Sequence, residues 1–166
     1  MLLPRRHPQP TPGSREETAA RQRPAFLPSH LRAEWDAVCQ GQHNLLLVGT
    51  STATNEILVE MRPHLREPLQ RYSPKAGRPV PQPVEGTLLL SGVARLDRKQ
   101  QTQLLRWLEH FDQRSHVQVI SMSSKPLFPL VKSGAFLVDL YYKLNVVLID
   151  LIGSGSAGGH VPPPFV

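Results

Sequence analysis

The sequence predicts an α/β fold, a three-layer sandwich with a mostly parallel sheet. Four short apolar runs have the length and composition of buried strands, and segments with helical spacing of apolar residues separate them. None of the four runs alternates cleanly between apolar and polar residues. Strands of this kind are typical of a parallel sheet, in which helical crossovers cover both faces.

The predicted elements follow in order along residues 29–152. A first helix opens at Ser29 or His30 and continues through Leu31, Trp35 and Val38. The four predicted strands are His43–Val48, Gly86–Leu90, Val117–Met122 and Val146–Leu151. Further helices are predicted over Asn55–Leu65, from an N-cap at Asp97 through Leu108, and over Pro126–Lys132 and Ala135–Lys143.

Seventeen prolines in 166 residues are about twice the ordinary share, and they are clustered. They mark a basic arm over residues 1–28, a long loop over 68–85 and a Gly/Pro tail over 153–166. Residues 29–152 are then long enough for one domain with its own core. We expect the arm and the tail to be flexible.

Composition excludes several classes of protein. The single Cys39 excludes a disulfide framework and a cysteine-built metal site, and the seven histidines are scattered, so we predict no metal site. No apolar run approaches the roughly twenty residues of a membrane span, and the N-terminus lacks the apolar core of a signal peptide. We therefore expect a cytoplasmic protein without membrane contact. The net charge of +6 permits contact with nucleic acid through the basic arm, but solvated charge is the favoured explanation, since no groove-reading or RNA-binding motif accompanies it.

The loop after the first strand stands where a phosphate-binding P-loop would stand. Gly49-Thr50-Ser51-Thr52-Ala53-Thr54-Asn55-Glu56 has the first glycine of G-x-x-x-x-G-K, but Thr54 replaces the second glycine and Asn55 the lysine. Without that glycine turn and that lysine, we expect binding of Mg·ATP to be weak or absent, although helix N-terminal amides retain some affinity for anions. By its chemistry alone this is a polar strand-to-helix turn.

Further along the chain stand Gly86-Thr87-Leu88-Leu89-Leu90, and Gln101 with Leu104-Leu105-Arg106-Trp107-Leu108. Together with two later segments, they resemble the AAA+ domain of sigma-54-dependent bacterial transcription activators. The first resembles the start of that family's Walker B segment, and the second its Q-x-x-LLRxL helix. Val117–Ser124 stands in place of its VRIIAATN strand. Most specific is Asp139-Leu140-Tyr141-Tyr142-Lys143-Leu144-Asn145-Val146, which is similar to DLYYRLNV. The resemblance covers about residues 43–151 and implies a reduced P-loop NTPase core.

The residues that this resemblance assigns to ATP hydrolysis are replaced. Ser91 and Gly92 stand at the Walker B Asp and Glu, which would hold Mg²⁺ and polarise the attacking water. Ser124 replaces the sensor Asn, Leu137 replaces the first arginine of the finger motif, and Lys143 replaces the second. No catalytic residue is therefore predicted, and no cofactor, with ATP and Mg²⁺ expected to bind weakly at best.

Two parts of the family pattern are also missing. No GAFTGA loop, the family's sigma-54 contact, lies between Gly49 and Gly86, and the Pro-rich stretch occupies its place. The helical lid that would follow Leu151 has no counterpart in residues 153–166. The resemblance thus predicts a non-catalytic module, a pseudo-ATPase, that acts by protein–protein contacts in transcriptional regulation or signalling. Its partner would be an intact family member or a signalling protein, and sigma-54 contact is doubtful. A residual ATP-binding protein and a small basic nucleic-acid-binding protein remain the alternatives.

Overall fold

Five strands and five α-helices form the described part of the chain. The computed structural model describes Leu27 and residues 29–40, 43–110 and 116–152. The strands are β1 (Leu45–Val48), β2 (Leu69–Tyr72), β3 (Glu85–Ser91), β4 (His116–Ser123) and β5 (Val147–Asp150). The helices are α1 (Arg32–Gln40), α2 (Ser51–Met61), α3 (Arg98–His110), α4 (Phe128–Lys132) and α5 (Val138–Leu144). Short 3-10 turns occupy Ser29–Leu31, Arg62–His64 and Val93–Arg95.

The strands form one sheet in the order β2-β3-β4-β1-β5, and every pairing is parallel. This confirms the predicted fold class. Successive side chains of a strand point to opposite faces, so each apolar strand supplies residues to both sides. The absence of alternation in the sequence follows from this, because helices cover the sheet on both faces.

Two apolar cores lie on the two faces of the sheet. The α3–α5 core unites Leu46, Val48, Leu88 and Leu90 with side chains of the helices and turns on that side, including Leu104, Trp107, Phe136 and Leu140. The α1–α2 core unites Leu45, Leu47, Leu89 and Ile120 with Trp35, Val38, Ile57 and Met61 among others. Leu27, assigned to the arm by its position before residue 29, is 2% exposed and belongs to the α1–α2 core. The fold therefore begins slightly earlier than predicted.

The Pro-rich stretch contains a strand that the sequence did not predict. A loop was expected over residues 68–85, but β2 pairs with β3 in register Leu69↔Thr87 to Tyr72↔Leu90. β2 lies at the edge of the sheet, and Tyr72 is the only one of its four residues that is buried. Its sequence therefore contains no apolar run from which a strand could be predicted. Gly86 has a φ of +88° and no side chain, so Pro68 can approach it closely. A Cβ on Gly86 would lie 2.2 Å from the Pro68 carbonyl oxygen.

Residues 73–84 are held against α3 rather than free. The Gln100 side chain donates to the carbonyl oxygens of Lys75 (2.9 Å) and Arg78 (2.8 Å), and Tyr72 Oη donates to the Arg78 carbonyl oxygen (2.8 Å). The Gln103 side chain accepts from the N–H of Val80 (3.2 Å) and donates to its carbonyl (3.3 Å). Val80 is buried in the α3–α5 core. This segment, called the strap below, is a docked part of the domain.

The predicted start of α3 is confirmed. Asp97 Oδ1 accepts from the N–H of Gln100 (2.8 Å), and Gln100 Oε1 accepts from the N–H of Asp97 (3.1 Å). This reciprocal pair is a capping box, which satisfies two backbone donors at the helix start. The arm outside Leu27 and the tail over 153–166 lie outside the described residues, so their expected flexibility stays a prediction.

Candidate functional site

The carboxyl ends of β1, β3 and β4 bring the predicted site segments to one edge of the sheet. In open parallel sheets ligands bind at this edge. Val48 pairs with Ser123 and Ser91 pairs with Met122, so the three strands end at nearly the same level. Three predicted site segments therefore lie at the ends of neighbouring strands, with β4 in the middle. They are the segment that begins at Gly49 after β1, Ser91–Gly92 at the end of β3, and Ser124 after β4.

The connection from β1 to α2 is only two residues long. The N–H of Gly49 donates to the Ser123 carbonyl oxygen (2.9 Å), which attaches the turn to β4. Thr50 is the N-cap of α2, with φ −62° and ψ 157°, and its hydroxyl accepts from the N–H of Ala53 (3.2 Å). The helix was predicted from Asn55, and it begins instead at Ser51.

Six of the eight residues of the segment Gly49–Glu56, those from Ser51 onward, are thus helical. The N–H of Thr54 donates to the Thr50 carbonyl oxygen (3.0 Å), as in a regular first turn. The buried Thr54 hydroxyl donates to the carbonyl oxygens of Thr50 (3.0 Å) and Ser51 (3.2 Å). Asn55 and Glu56 are exposed on the second turn. A P-loop instead wraps the phosphates with backbone amides ahead of its helix, so this conformation lacks that cradle.

Leu151 closes the space beside Gly49. A Cβ on Gly49 would lie 3.1 Å from the Cβ of Leu151, and the N–H of Leu151 donates to the Val48 carbonyl oxygen (2.8 Å). Asp150, the last residue of β5, pairs with Val48 and accepts the N–H of Ile152 with Oδ1 (2.9 Å). Sequence reasoning missed this carboxylate at the edge. The sequence could have indicated it, because Asp150 is the acidic residue near the end of a predicted apolar strand.

A cation covers the Walker B position. Ser91 is the half-buried last residue of β3, and Gly92 has φ +68°, a conformation in which a larger residue is strained. A Cβ at Gly92 would lie 2.6 Å from Nη2 of Arg95, so the guanidinium rests directly over this glycine. Arg95 was not singled out by the sequence. It places positive charge where the Walker B carboxylates would stand.

The turn after β4 is closed by Ser123 rather than by the predicted sensor residue. The buried Ser123 hydroxyl donates to the Lys125 carbonyl oxygen (2.5 Å) and accepts from the Lys125 N–H (3.3 Å). Ser124 itself is exposed.

The two predicted finger positions lie at opposite ends of α5. Leu137 is the N-cap residue, and its partly buried side chain packs against the α3–α5 core. Lys143 is exposed near the other end, and its carbonyl oxygen accepts from Asn44 Nδ2 (2.9 Å). Asn44 directly precedes β1, so Lys143 lies at the amino edge of the sheet, away from Gly49. The structure does not bring Lys143 to the other predicted site residues of the same chain.

Gln101, noted above only as part of a motif, has a structural role. It is 2% exposed, and its Nε2 donates to the carbonyl oxygens of Leu96 (2.9 Å) and Ala135 (3.0 Å). Its Oε1 accepts from the N–H of Leu137 (2.8 Å). One glutamine therefore fixes the segment that leads into α5.

Reactive and metal-binding groups do not gather at this edge. Within the described residues no three His, Cys, Asp or Glu side chains lie close enough to hold a metal ion together.

Burial, and then the nearby Asp36, raises the pKa of Cys39 to about 11, so its thiol stays protonated near neutral pH. None of the helices in the part of the chain that the structure describes could cross a membrane.

Comparison with known proteins identifies the family. Residues 26–153 match the Sigma-54 interaction domain. The chain belongs to this family. The match covers every described helix and strand, so the resemblance inferred from the GTLLL, LLRWL and DLYYKLNV segments is confirmed.

Curated relatives of this sigma-54 interaction domain are transcription regulators. It is 37% identical over 76 residues to the HTH-type transcriptional regulatory protein TyrR of Haemophilus influenzae, covering 40% of this chain and 24% of that protein. It is 31% identical over 86 residues to the Nif-specific regulatory protein of Rhizobium leguminosarum bv. trifolii, covering 46% and 24%. The chain thus spans about a quarter of the length of these relatives.

Solved structures share the fold of this sigma-54 interaction domain. NtrX from Brucella abortus in complex with ATP superposes with a TM-score of 0.60 at 20% identity, covering 82% of this chain and 40% of that one. The P-loop NTPase domain of the sigma-54 transport activator from E. coli gives a TM-score of 0.52 at 18% identity, covering 68% and 89%. At these identities the likeness concerns the fold.

Proposed function

We propose that this chain is a non-catalytic sigma-54-activator-like module, a pseudo-ATPase that acts through protein–protein contacts in transcription regulation. The observation that carries the proposal is the start of α2 at Ser51. The N–H groups of Ala53 and Thr54, which lie in the segment that a P-loop would wrap around phosphates, instead donate to the hydroxyl and the carbonyl oxygen of Thr50.

The charge at the edge supports the same proposal. Hydrolysis of a bound nucleotide needs a metal ligand and a group that positions water, both normally carboxylates at the end of β3. Ser91 and Gly92 offer neither, and the Arg95 guanidinium occupies the adjoining space. Exposed Glu56 adds a negative charge two residues beyond Thr54, where phosphate oxygens would be repelled.

Thermal unfolding with and without Mg·ATP tests the proposal. A ligand that binds only the folded chain at a hundred times its Kd stabilises it by about 2.7 kcal/mol, which raises the Tm of a domain of this size by about 5 °C or more. We expect no shift at millimolar Mg·ATP. Saturable stabilisation together with turnover that Asn55→Ala abolishes would establish the ATP-binding alternative instead.

Variants that restore the P-loop residues distinguish the effect of the missing side chains on nucleotide binding from the effect of the backbone conformation. Asn55→Lys restores only the missing charge, and we expect it to bind no nucleotide because the first turn of α2 remains helical. Thr54→Gly/Asn55→Lys also removes the Thr54 hydroxyl bonds and weakens the helix start by about 1 kcal/mol. Any gained affinity should therefore need both changes. Gln82→Lys, at an exposed position of the strap, is the control for added charge.

An exposed apolar stripe on α5 is the contact surface that the proposal favours. Val138 is 47% and Tyr142 40% exposed, one turn apart on the same helix, and Val146 follows with 55%. Exposed apolar groups in a row are typical of contacts between proteins. Val138→Ser/Tyr142→Ser should weaken binding to an intact sigma-54 activator of the same cell, measured by sedimentation velocity. Val84→Ser, at a still more exposed valine in the strap, should leave binding unchanged; equal losses in both variants would refute this surface.

A further inference from the structure

The outward face of α2 presents six exposed side chains: Ser51, Thr52, Asn55, Glu56, Val59 and Glu60. Val59 is 69% exposed, and Glu56 and Glu60 flank it one turn apart. Two carboxylates with an exposed aliphatic group between them form a surface suited to a basic segment that also carries apolar groups.

The chain supplies a segment with this chemistry. Residues 1–26 contain five arginines (Arg5, Arg6, Arg15, Arg21 and Arg23) against Glu16 and Glu17, a net charge of 5 − 2 = +3. The segment also contains no lysine, and arginine is the cation that pairs with a carboxylate through two parallel hydrogen bonds.

The point where this segment joins the fold lies next to α2. Leu27 is buried in the α1–α2 core, the same core that holds Ile57, Leu58 and Met61 from the inward face of α2. A segment of 26 residues that starts there reaches the outward face of the same helix easily, since an extended chain spans about 3.3 Å per residue. Because the segment is tethered, its effective concentration at α2 is of millimolar order, so a contact with a Kd of about 1 mM, or about 4 kcal/mol, is half populated.

We propose that the outward face of α2 is a docking site for the basic N-terminal arm of this chain, with Glu56 and Glu60 pairing with arm arginines beside Val59. Residues 153–166 form a second candidate occupant, since they follow Leu151, which lies against Gly49 just before this helix. It carries no Lys, Arg, Asp or Glu, so charge complementarity selects the arm. The contact would hold the arm on the domain at low salt and release it when a competing polyanion or salt is added.

Tryptic cleavage of the whole chain tests the proposal. Docked arginines are shielded, so cleavage after Arg15 and Arg21, followed by mass spectrometry, should be slow at low salt and faster at high salt. Glu56→Gln/Glu60→Gln should speed cleavage at low salt by roughly two- to fivefold, the effect of losing two exposed ion pairs. It should also abolish the salt dependence. Glu85→Gln/Glu109→Gln removes the same charge from two exposed positions elsewhere and should leave both unchanged.

Three outcomes would overturn the proposal. Equal cleavage rates in the wild type and Glu56→Gln/Glu60→Gln place the arm elsewhere. Equal acceleration in both glutamine pairs means that only the overall charge matters. Protection that grows with protein concentration means that the arm docks on a second copy. The test is independent of the proposed function, because neither ATP nor a regulatory partner enters it.

Discussion

A single buried glutamine side chain connects three parts of the backbone in this domain. Gln101 bonds Leu96, which precedes α3, and Ala135 and Leu137, which precede α5. The bond to Leu96 is buried and the other two are partly buried, so leaving the Leu96 carbonyl unsatisfied costs more than an ordinary hydrogen bond gains. This structural role accounts for the glutamine at the start of the Q-x-x-LLRxL segment.

Gln101→Ala should lower the free energy of unfolding by about 2–4 kcal/mol, because one buried and two partly buried backbone groups lose their partner and the buried side chain leaves a cavity. Urea unfolding followed by circular dichroism measures this. Gln82→Ala, an exposed glutamine in the strap, is the control and should change stability by no more than about 0.5 kcal/mol. A loss below about 1 kcal/mol at Gln101 would contradict the role assigned to it.

The glycine of the GTLLL segment serves the contact between β2 and β3. Gly86→Ala would place a Cβ 2.2 Å from the Pro68 carbonyl oxygen, in addition to straining a φ of +88°. We expect it to destabilise the chain by several kcal/mol, of order 3 or more. Gly134→Ala has a similar φ of +74° with no atom within 4 Å of the new Cβ, so it measures the backbone strain alone, about 1 kcal/mol. Equal unfolding midpoints in urea for the two variants would contradict the steric explanation.

The thiol of Cys39 should react slowly. With its pKa raised to about 11, by burial first and by Asp36 second, the thiolate fraction at pH 8 is about a hundredfold smaller than for a thiol of pKa 9. The rate of alkylation by iodoacetamide should therefore keep rising beyond pH 9 instead of levelling off there. Asp36→Asn removes the smaller cause and should shift the profile slightly to lower pH; a plateau near pH 9 in the wild type would contradict the assignment.

At the scale of elements, α3 acts as the anchor of the strap. Its first two turns present Gln100 and Gln103 to the backbone of Lys75, Arg78 and Val80. Five prolines between residues 68 and 83 reduce the conformations that must be ordered, so few hydrogen bonds suffice to hold this segment.

Gln100→Ala/Gln103→Ala should release the strap while β1, β3 and β4 stay paired. Trypsin cleavage after Lys75 should then become faster by about tenfold, since several hydrogen bonds of about 1 kcal/mol each are lost. The matched control is Gln70→Ala/Gln82→Ala, which changes two exposed glutamines in the same region. If cleavage after Lys75 stays as slow as in the wild type, the strap is held by Val80 and Tyr72 alone.

The hydrophobic periodicity of the sequence predicted the strands and helices whose residues fill the two cores. It missed β2, which has little buried apolar surface, and the polar first turn of α2. β1, β3, β4 and β5 are apolar runs, so their existence was predicted within a few residues. β2 escaped because it is short, flanked by prolines and buried only at Tyr72. The start of α2 was placed four residues late because Ser51–Thr54 are polar, and the Thr50 cap that defines the start is set by backbone geometry. At the site, the position of Arg95 over Gly92 depends on the path of a long side chain, which the spacing of residues does not reveal.

The whole molecule has two cores that share one sheet. Adjacent residues of β1 alternate between them, with Leu46 and Val48 in the α3–α5 core and Leu45 and Leu47 in the α1–α2 core. Neither core can lose its strands without exposing the other. The described domain should therefore unfold as one cooperative unit.

The two tryptophans report on this cooperativity, since Trp35 lies in one core and Trp107 in the other. Trp35→Phe leaves Trp107 as the fluorescent probe, and Trp107→Phe leaves Trp35. Within each variant, the urea midpoint by fluorescence should equal that by far-UV circular dichroism. Separate midpoints would show that one face melts before the other.

The structural roles of Gln101 and Gly86 affect how sequence similarity within this family should be interpreted. Both residues belong to the segments through which the chain is recognised, and both serve backbone packing. Folding alone requires these two residues, whatever the activity of the domain. Similarity over these segments therefore reports the shared scaffold, and activity has to be judged from other positions, such as Thr54, Asn55, Ser91 and Gly92.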